Sequence, residues 1–131
     1  TSTLTAVGND YGYDEVFARQ VQGHGRAGDV LVLLTTSGRS RNLLRAADRG
    51  RAAGLRVLAL TGPRPNPLAE VSDEVLAVDS PSTTAVQEVH LVVVHALCAA
   101  VERHLRLSGP VPARDGRPWL AGPIPLAAEV G

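Results

Sequence analysis

Thr35-Thr36-Ser37-Gly38-Arg39-Ser40 carries four hydroxyls in six residues. The stretch follows an apolar run, Val30 to Leu34, and precedes a helical pattern. Such a loop opens onto a helix N-terminus, where free N–H groups and the helix dipole favour an anion. Hydroxyls and backbone amides can hold a phosphate monoester without a lysine, and the chain has none: its thirteen basic residues are all arginine. The same residues also suit an ordinary turn with Ser40 as N-cap. A second group, Gly8-Asn9-Asp10, closes what reads as a strand. Asn9 and Asp10 there could bond sugar hydroxyls, and Asn-Asp is equally ordinary turn chemistry.

The third group is Gln87, His90 and His95 on one long helical pattern. From Leu91 to Val101, ten of eleven residues are apolar and His95 is the exception. An imidazole in that setting is either a structural histidine bonded to a carbonyl or a general acid/base working near neutral pH. Gln87 and His95 are separated by roughly 12 Å along the helix and about 80° around it. One metal held by both from the same helix would be strained, so if both line one site they come from different subunits. His90 reads as structural or exposed, His24 and His104 as surface residues, and Cys98 as a small core residue.

The elements that position these groups alternate. Thr3 to Val7 reads as a short strand. Asp14 can cap a helix to about Gln22, with Val16, Phe17 and Val21 inward. Val30 to Leu34 is a continuous apolar run, as expected of a strand covered on both faces. Leu43, Leu44, Ala46, Ala47 and Ala52 give a helix stopped at Gly54. Arg56 to Leu60 is the next strand. A three-proline loop, Thr61 to Pro67, leads to a helical turn at Leu68 to Val71. Glu74 to Val78 is a fourth strand, and Thr84 to about Leu105 a long helix. Short connections between alternating strands and helices predict an α/β fold, an open parallel sheet with helices on both faces. A helix apolar all round is hard to bury in one small domain, so the long helix is expected to line an oligomer interface.

Composition narrows the function classes. With 131 residues, 44% of them apolar, the chain can build one core but not two. Thirteen acidic residues balance the arginines, which gives no reason to expect nucleic acid or an anionic membrane as partner. No unbroken apolar run reaches the length of a membrane span. The single cysteine excludes an internal disulfide and fits a reducing cytoplasm. Aromatic residues are only 3%, too few to build stacking platforms. The stretch from Leu107 to Gly131 holds five of the nine prolines and four of the thirteen glycines. It reads as disordered, or as an extended arm holding a neighbour through Trp119, Leu120 and Ile124.

Three segments together carry a resemblance: the hydroxyl loop, "VGNDYGYDEVFARQV" and "TAVQEVHLVVVHAL". They resemble the sugar isomerase (SIS) domain, and more narrowly the phosphoheptose isomerase family, over residues 1–106, with 107–131 a Pro/Gly-rich extension. The resemblance implies a flavodoxin-like three-layer α/β/α fold. It also implies an aldose–ketose isomerisation of D-sedoheptulose 7-phosphate through an enediol, in activated-heptose biosynthesis. It assigns the phosphate to Thr35, Thr36, Ser37 and Ser40, and sugar hydroxyls to Asn9 and Asp10. Gln87 is assigned to the substrate and His95 to acid/base chemistry. In zinc-containing members Gln87 and His95 are also metal ligands, one zinc per site; no nucleotide cofactor is implied. Members are homotetramers with active sites between subunits.

The departures are specific. Thr35 and Arg39 replace the first Ser and the Asn of Ser-Thr-Ser-Gly-Asn-Ser. Pro63-Arg64-Pro65-Asn66-Pro67 stands where the family has Gly-Gly. The family's first strand, first Gly-rich loop and an upstream helix with a His and a Glu have no counterpart, so the domain is expected to be incomplete at its N-terminus. The alternatives are a SIS isomerase for another phosphosugar, a non-catalytic SIS-domain regulator that binds sugar phosphate, and a protein-binding scaffold. A pure scaffold has no use for an imidazole at the acid/base position.

Overall fold

A computed structural model describes residues 1–107. The element order is α1 (Ser2–Tyr11), a 3₁₀ turn (Tyr13–Glu15), α2 (Val16–His24), β1 (Val30–Leu34), α3 (Arg41–Ala52), β2 (Arg56–Thr61), α4 (Pro67–Val71), β3 (Glu74–Ala77) and α5 (Thr83–Leu107). A first compact unit covers Thr1–Leu91 and a second begins at Val92, within α5. The sheet is parallel, in the order β1-β2-β3. The α/β class expected from the alternation is therefore present, with three strands among the described residues rather than four.

The missing strand is α1. Thr3 to Val7 was expected to be extended because threonine and valine favour strands, yet the segment is helical. Thr5 shows how a β-branched residue is accommodated: its hydroxyl donates back to the carbonyls of Thr1 (3.3 Å) and Ser2 (3.0 Å). No residue of α1 is buried, so no packing opposes the local helix. Gly12, at φ +87°, ends it in a conformation that L side chains rarely adopt. Asp14 makes no cap hydrogen bond; it pairs with Arg41 at 3.1 Å while Glu15 pairs with Arg45 at 3.6 Å. These exposed pairs are worth about 0–1 kcal/mol each and tie the 3₁₀ turn to the first turns of α3.

The core lies on one face of the sheet. The register sets Leu31 beside Val57, Leu33 beside Ala59, and Ala59 beside Val75. These residues pack with Ala46 and Ala47 of α3, Leu68 of α4, and Phe17 and Val21 of α2. The residues of opposite parity point the other way. There Leu60 is buried, but Val30, Val32, Leu34 and Leu76 are exposed. The apolar run of β1 was expected to be covered on both faces; the described chain covers one. The expectation at the end of α3 holds: the helix ends at Ala52, and Gly54 has φ +78°.

In α5, Val86 is buried and the Nε2 of buried His90 bonds to the Thr61 carbonyl at 3.2 Å. His90, expected to be structural or exposed, is structural. In the second unit Val92, Leu97, Val101 and Leu105 are exposed, as are His95 and Cys98. Cys98 is therefore not the core residue expected. Among the described residues, α5 is the one helix long and apolar enough to cross a membrane by length and composition. The reading that no unbroken apolar run is that long still holds, since His90, His95 and Glu102 bound and break the run from Leu91 to Val101. The arm expected at 107–131, with Trp119, Leu120 and Ile124, lies outside the described residues from 108 on.

Leu33 and Leu34 are neighbours on opposite faces, 5% and 44% exposed. Leu33→Ala should cost about 2–5 kcal/mol in urea unfolding, by lost burial and the cavity left behind, and Leu34→Ala under about 1 kcal/mol. Equal costs would mean that the open face is covered in the assembled protein.

Candidate active site

The hydroxyl loop leaves the sheet at Thr35, whose N–H donates to the Leu60 carbonyl at 3.0 Å and extends the β1–β2 ladder by one residue. The loop then organises itself. The Thr35 hydroxyl accepts the Gly38 N–H at 3.2 Å, and the Ser37 hydroxyl accepts the Arg39 N–H at 3.2 Å. Each hydroxyl keeps its own proton to donate. Among the described residues, the hydroxyls of Thr36 and Ser40 make no hydrogen bond. Ser40 occupies the N-cap position of α3, but its side chain does not cap; the Leu43 and Leu44 amides go to its backbone carbonyl instead. By helix geometry the amides of Arg41 and Asn42 have no partner within the helix. The loop therefore presents donors outward at the positive end of a 12-residue helix.

Two glycines let a second loop support the first from below. Gly62 lies so close that a Cβ there would overlap the Thr36 carbonyl oxygen. Gly38, at φ +64°, lies against Asn66: a Cβ would overlap the Asn66 carboxamide and stand 2.7 Å from Asn66 Cβ. Asn66 itself is 2% exposed. Its Oδ1 accepts the Ala69 N–H at 3.0 Å and caps α4, while its Nδ2 donates to Thr61 Oγ1 and the Pro63 carbonyl, both at 3.2 Å. The Leu68 N–H donates to the Gly38 carbonyl at 3.0 Å. In the sequence Asn66 falls within a loop of three prolines, with no role of its own expected. The signal was there in Asn66-Pro67, a good N-cap followed by proline at the first helical position.

Parallel strands bring their C-terminal ends to one edge, so residues 35–40, 62–66 and 78–82 share a rim. Gln87, in the second turn of α5, is exposed. Asn9 and Asp10 were expected on this rim because a strand was expected before them. They lie in the last turn of α1 instead, exposed, with Asn9 Nδ2 donating to Asp10 Oδ1 at 2.9 Å. His95 is exposed and belongs to the second unit.

The SIS domain family model matches residues 1–62. A phosphoheptose isomerase of Streptomyces coelicolor is 66% identical over 105 residues, which are 80% of this chain and 46% of that protein. One of Rhodospirillum rubrum is 53% identical over 102 residues, 78% of this chain and 54% of that protein. Over residues 1–62 the chain is similar to the SIS domain family. Two solved structures agree. A phosphoheptose isomerase from Neisseria gonorrhoeae has a TM-score of 0.74 at 44% identity, covering 76% of this chain and 57% of that one. One from Francisella tularensis has a TM-score of 0.75 at 38% identity, covering 78% and 55%. The chain spans about half the length of the curated relatives it matches.

The donor set bears on the metal expectation. Among the described residues no three His, Cys, Asp or Glu side chains gather as a metal site. Gln87 and His95 offer two ligands at most, short of the number zinc takes from protein. The described residues alone do not fit a zinc site, and no step below runs through one.

Gly62→Ala should push the Thr36 carbonyl outward. It should cost about 1–3 kcal/mol by overpacking and weaken the uptake of inorganic phosphate, measured by titration calorimetry. Gly23→Ala, where an added Cβ meets nothing within 4 Å, is the control and should leave phosphate uptake unchanged.

Proposed function

We propose that the protein is an aldose–ketose isomerase that interconverts D-sedoheptulose 7-phosphate and D-glycero-D-manno-heptose 7-phosphate in activated-heptose biosynthesis. The observation that carries the reading is the loop at residues 35–40, with free hydroxyls above the open first turn of α3. That is a seat for a phosphate dianion, and it accompanies 66% identity to a phosphoheptose isomerase. Thr35, Thr36, Ser37 and Ser40 bind the phosphate, and Asn9, Asp10 and Gln87 bind the sugar.

The reaction is redox-neutral within one molecule. A base takes a proton from C1 of the ketose; its electron pair forms the C1=C2 bond, and O2 takes up a proton to give the enediol. O1 then releases its proton as C2 gains one, leaving the aldose. His95 moves protons in this scheme, since an imidazole nitrogen can accept a proton and give it back. Anchoring the phosphate at the far end fixes the reacting carbons and supplies the entropic part of the rate enhancement.

The assembly in this proposal is a homotetramer with active sites between subunits, in the cytoplasm. The exposed Val92, Leu97, Val101 and Leu105 support it, because a large apolar surface on a helix is a surface to be covered. If zinc is used, Gln87 of one subunit and His95 of another would each supply a ligand, with the rest from outside the described residues; activity with and without chelator decides whether one is used.

In the full-length protein, His95→Ala should abolish turnover of sedoheptulose 7-phosphate by at least about 10²-fold and leave phosphate binding and the circular dichroism spectrum unchanged. Turnover at the unmodified rate would remove His95 from the mechanism. Leu97→Asp should split the oligomer on size-exclusion chromatography with light scattering. An undiminished tetramer would show that α5 is not at an interface.

A further inference from the structure

We propose that Asn66 and His90 are positioning residues for the phosphate loop, joined by Thr61 into one buried brace between that loop and α5. The inference rests on the phosphate reading above. The brace is continuous. His90 Nε2 bonds to the Thr61 carbonyl at 3.2 Å; a carbonyl only accepts, so Nε2 carries the proton. The Thr61 hydroxyl donates to the Gly62 carbonyl at 3.0 Å and accepts from Asn66 Nδ2 at 3.2 Å. Asn66 then stands directly under Gly38, in the middle of the hydroxyl loop.

All three residues are buried: Thr61 0%, Asn66 2% and His90 5% exposed. No buried side-chain polar atom among the described residues lacks a partner, so the brace is fully satisfied. The orientation of the Asn66 amide follows from its neighbours. Turned over, its Oδ1 would face the Pro63 carbonyl and its NH₂ the Ala69 N–H, losing both contacts.

The brace aligns two substrate-binding groups. On the loop side, Gly38 has no side chain of its own to hold it, and Asn66 fills the space below. Removing that support lets the hydroxyls of Thr36 and Ser37 spread apart, although neither touches Asn66 by a hydrogen bond. On the helix side, His90 is three residues after Gln87 and four after buried Val86. Its bond to Thr61 holds the first turns of α5 at the end of β2, and with them Gln87. Asn66 and His90 act through the loop and the helix; neither is a catalytic residue.

The test uses the full-length protein with Asn66→Ser, His90→Leu and His90→Gln. Inorganic phosphate is titrated calorimetrically, and turnover of sedoheptulose 7-phosphate gives KM and kcat. Asn66→Ser and His90→Leu should weaken phosphate binding about tenfold, the scale of one buried hydrogen bond, and raise KM with kcat within about twofold. His90→Gln, whose amide can donate from about the position of Nε2, should restore both. Unchanged phosphate affinity in folded Asn66→Ser and His90→Leu overturns the proposal. So does a loss that follows thermal stability alone and is not rescued by glutamine. If Asn66→Ser does not fold, the two His90 variants decide. If the unmodified protein takes up neither inorganic phosphate nor the sugar phosphate, the phosphate reading itself falls, and the brace with it.

Discussion

The close approach of two loops organises the rim of this domain. The Thr36 carbonyl lies on the Cα of Gly62, and Gly38 lies on the side chain of Asn66. Neither contact survives a Cβ in the wrong place. Together they hold the loop after β1 on top of the loop after β2. The Thr35 and Ser37 hydroxyls accept amides within the loop, the Leu68 amide bonds to the Gly38 carbonyl from below, and the hydroxyls of Thr36 and Ser40 are left free among the described residues. The result is a loop whose polar groups point outward at a helix N-terminus, which is what an anion site requires.

A second constraint comes from surface. On one face of the sheet Val30, Val32, Leu34 and Leu76 have no cover among the described residues, and neither do Val92, Leu97, Val101 and Leu105 of α5. Packing on the covered face is ordinary: Leu33, Ala46, Ala47, Val57, Ala59 and Leu68 are close to fully buried. The chain also spans about half the length of the curated relatives it matches. An apolar surface of this kind is stable when other protein lies on it, and the proposed assembly supplies such cover for α5.

The parts of the site that were legible beforehand are those whose chemistry is local. The cluster of hydroxyls in residues 35–40, the strand before it and the helix after it are all present where their residue types put them. Gly54 as the end of α3 is of the same kind. What failed was a decision between periods. Thr3 to Val7 satisfies both a strand and a helix pattern over so few residues, and no neighbouring strand was there to choose for it. Because Asn9 and Asp10 were assigned to the rim through that strand, their location moved with it. Asn66 failed differently. Its signal as an N-cap is local and readable, but its contact with Gly38 joins residues 28 positions apart.

From α2 onward the element order, the parallel sheet, the hydroxyl loop and the helix with Gln87 and His95 were implied by residue type and spacing, since propensity, capping and hydrophobic period act within a few residues. Folding was needed to leave one face of β1 open, and to bury His90 on Thr61 while exposing His95. Those outcomes depend on which surfaces meet across the fold. Close packing sets that, through shapes such as the missing Cβ atoms of Gly38 and Gly62, and no pattern along the chain records it.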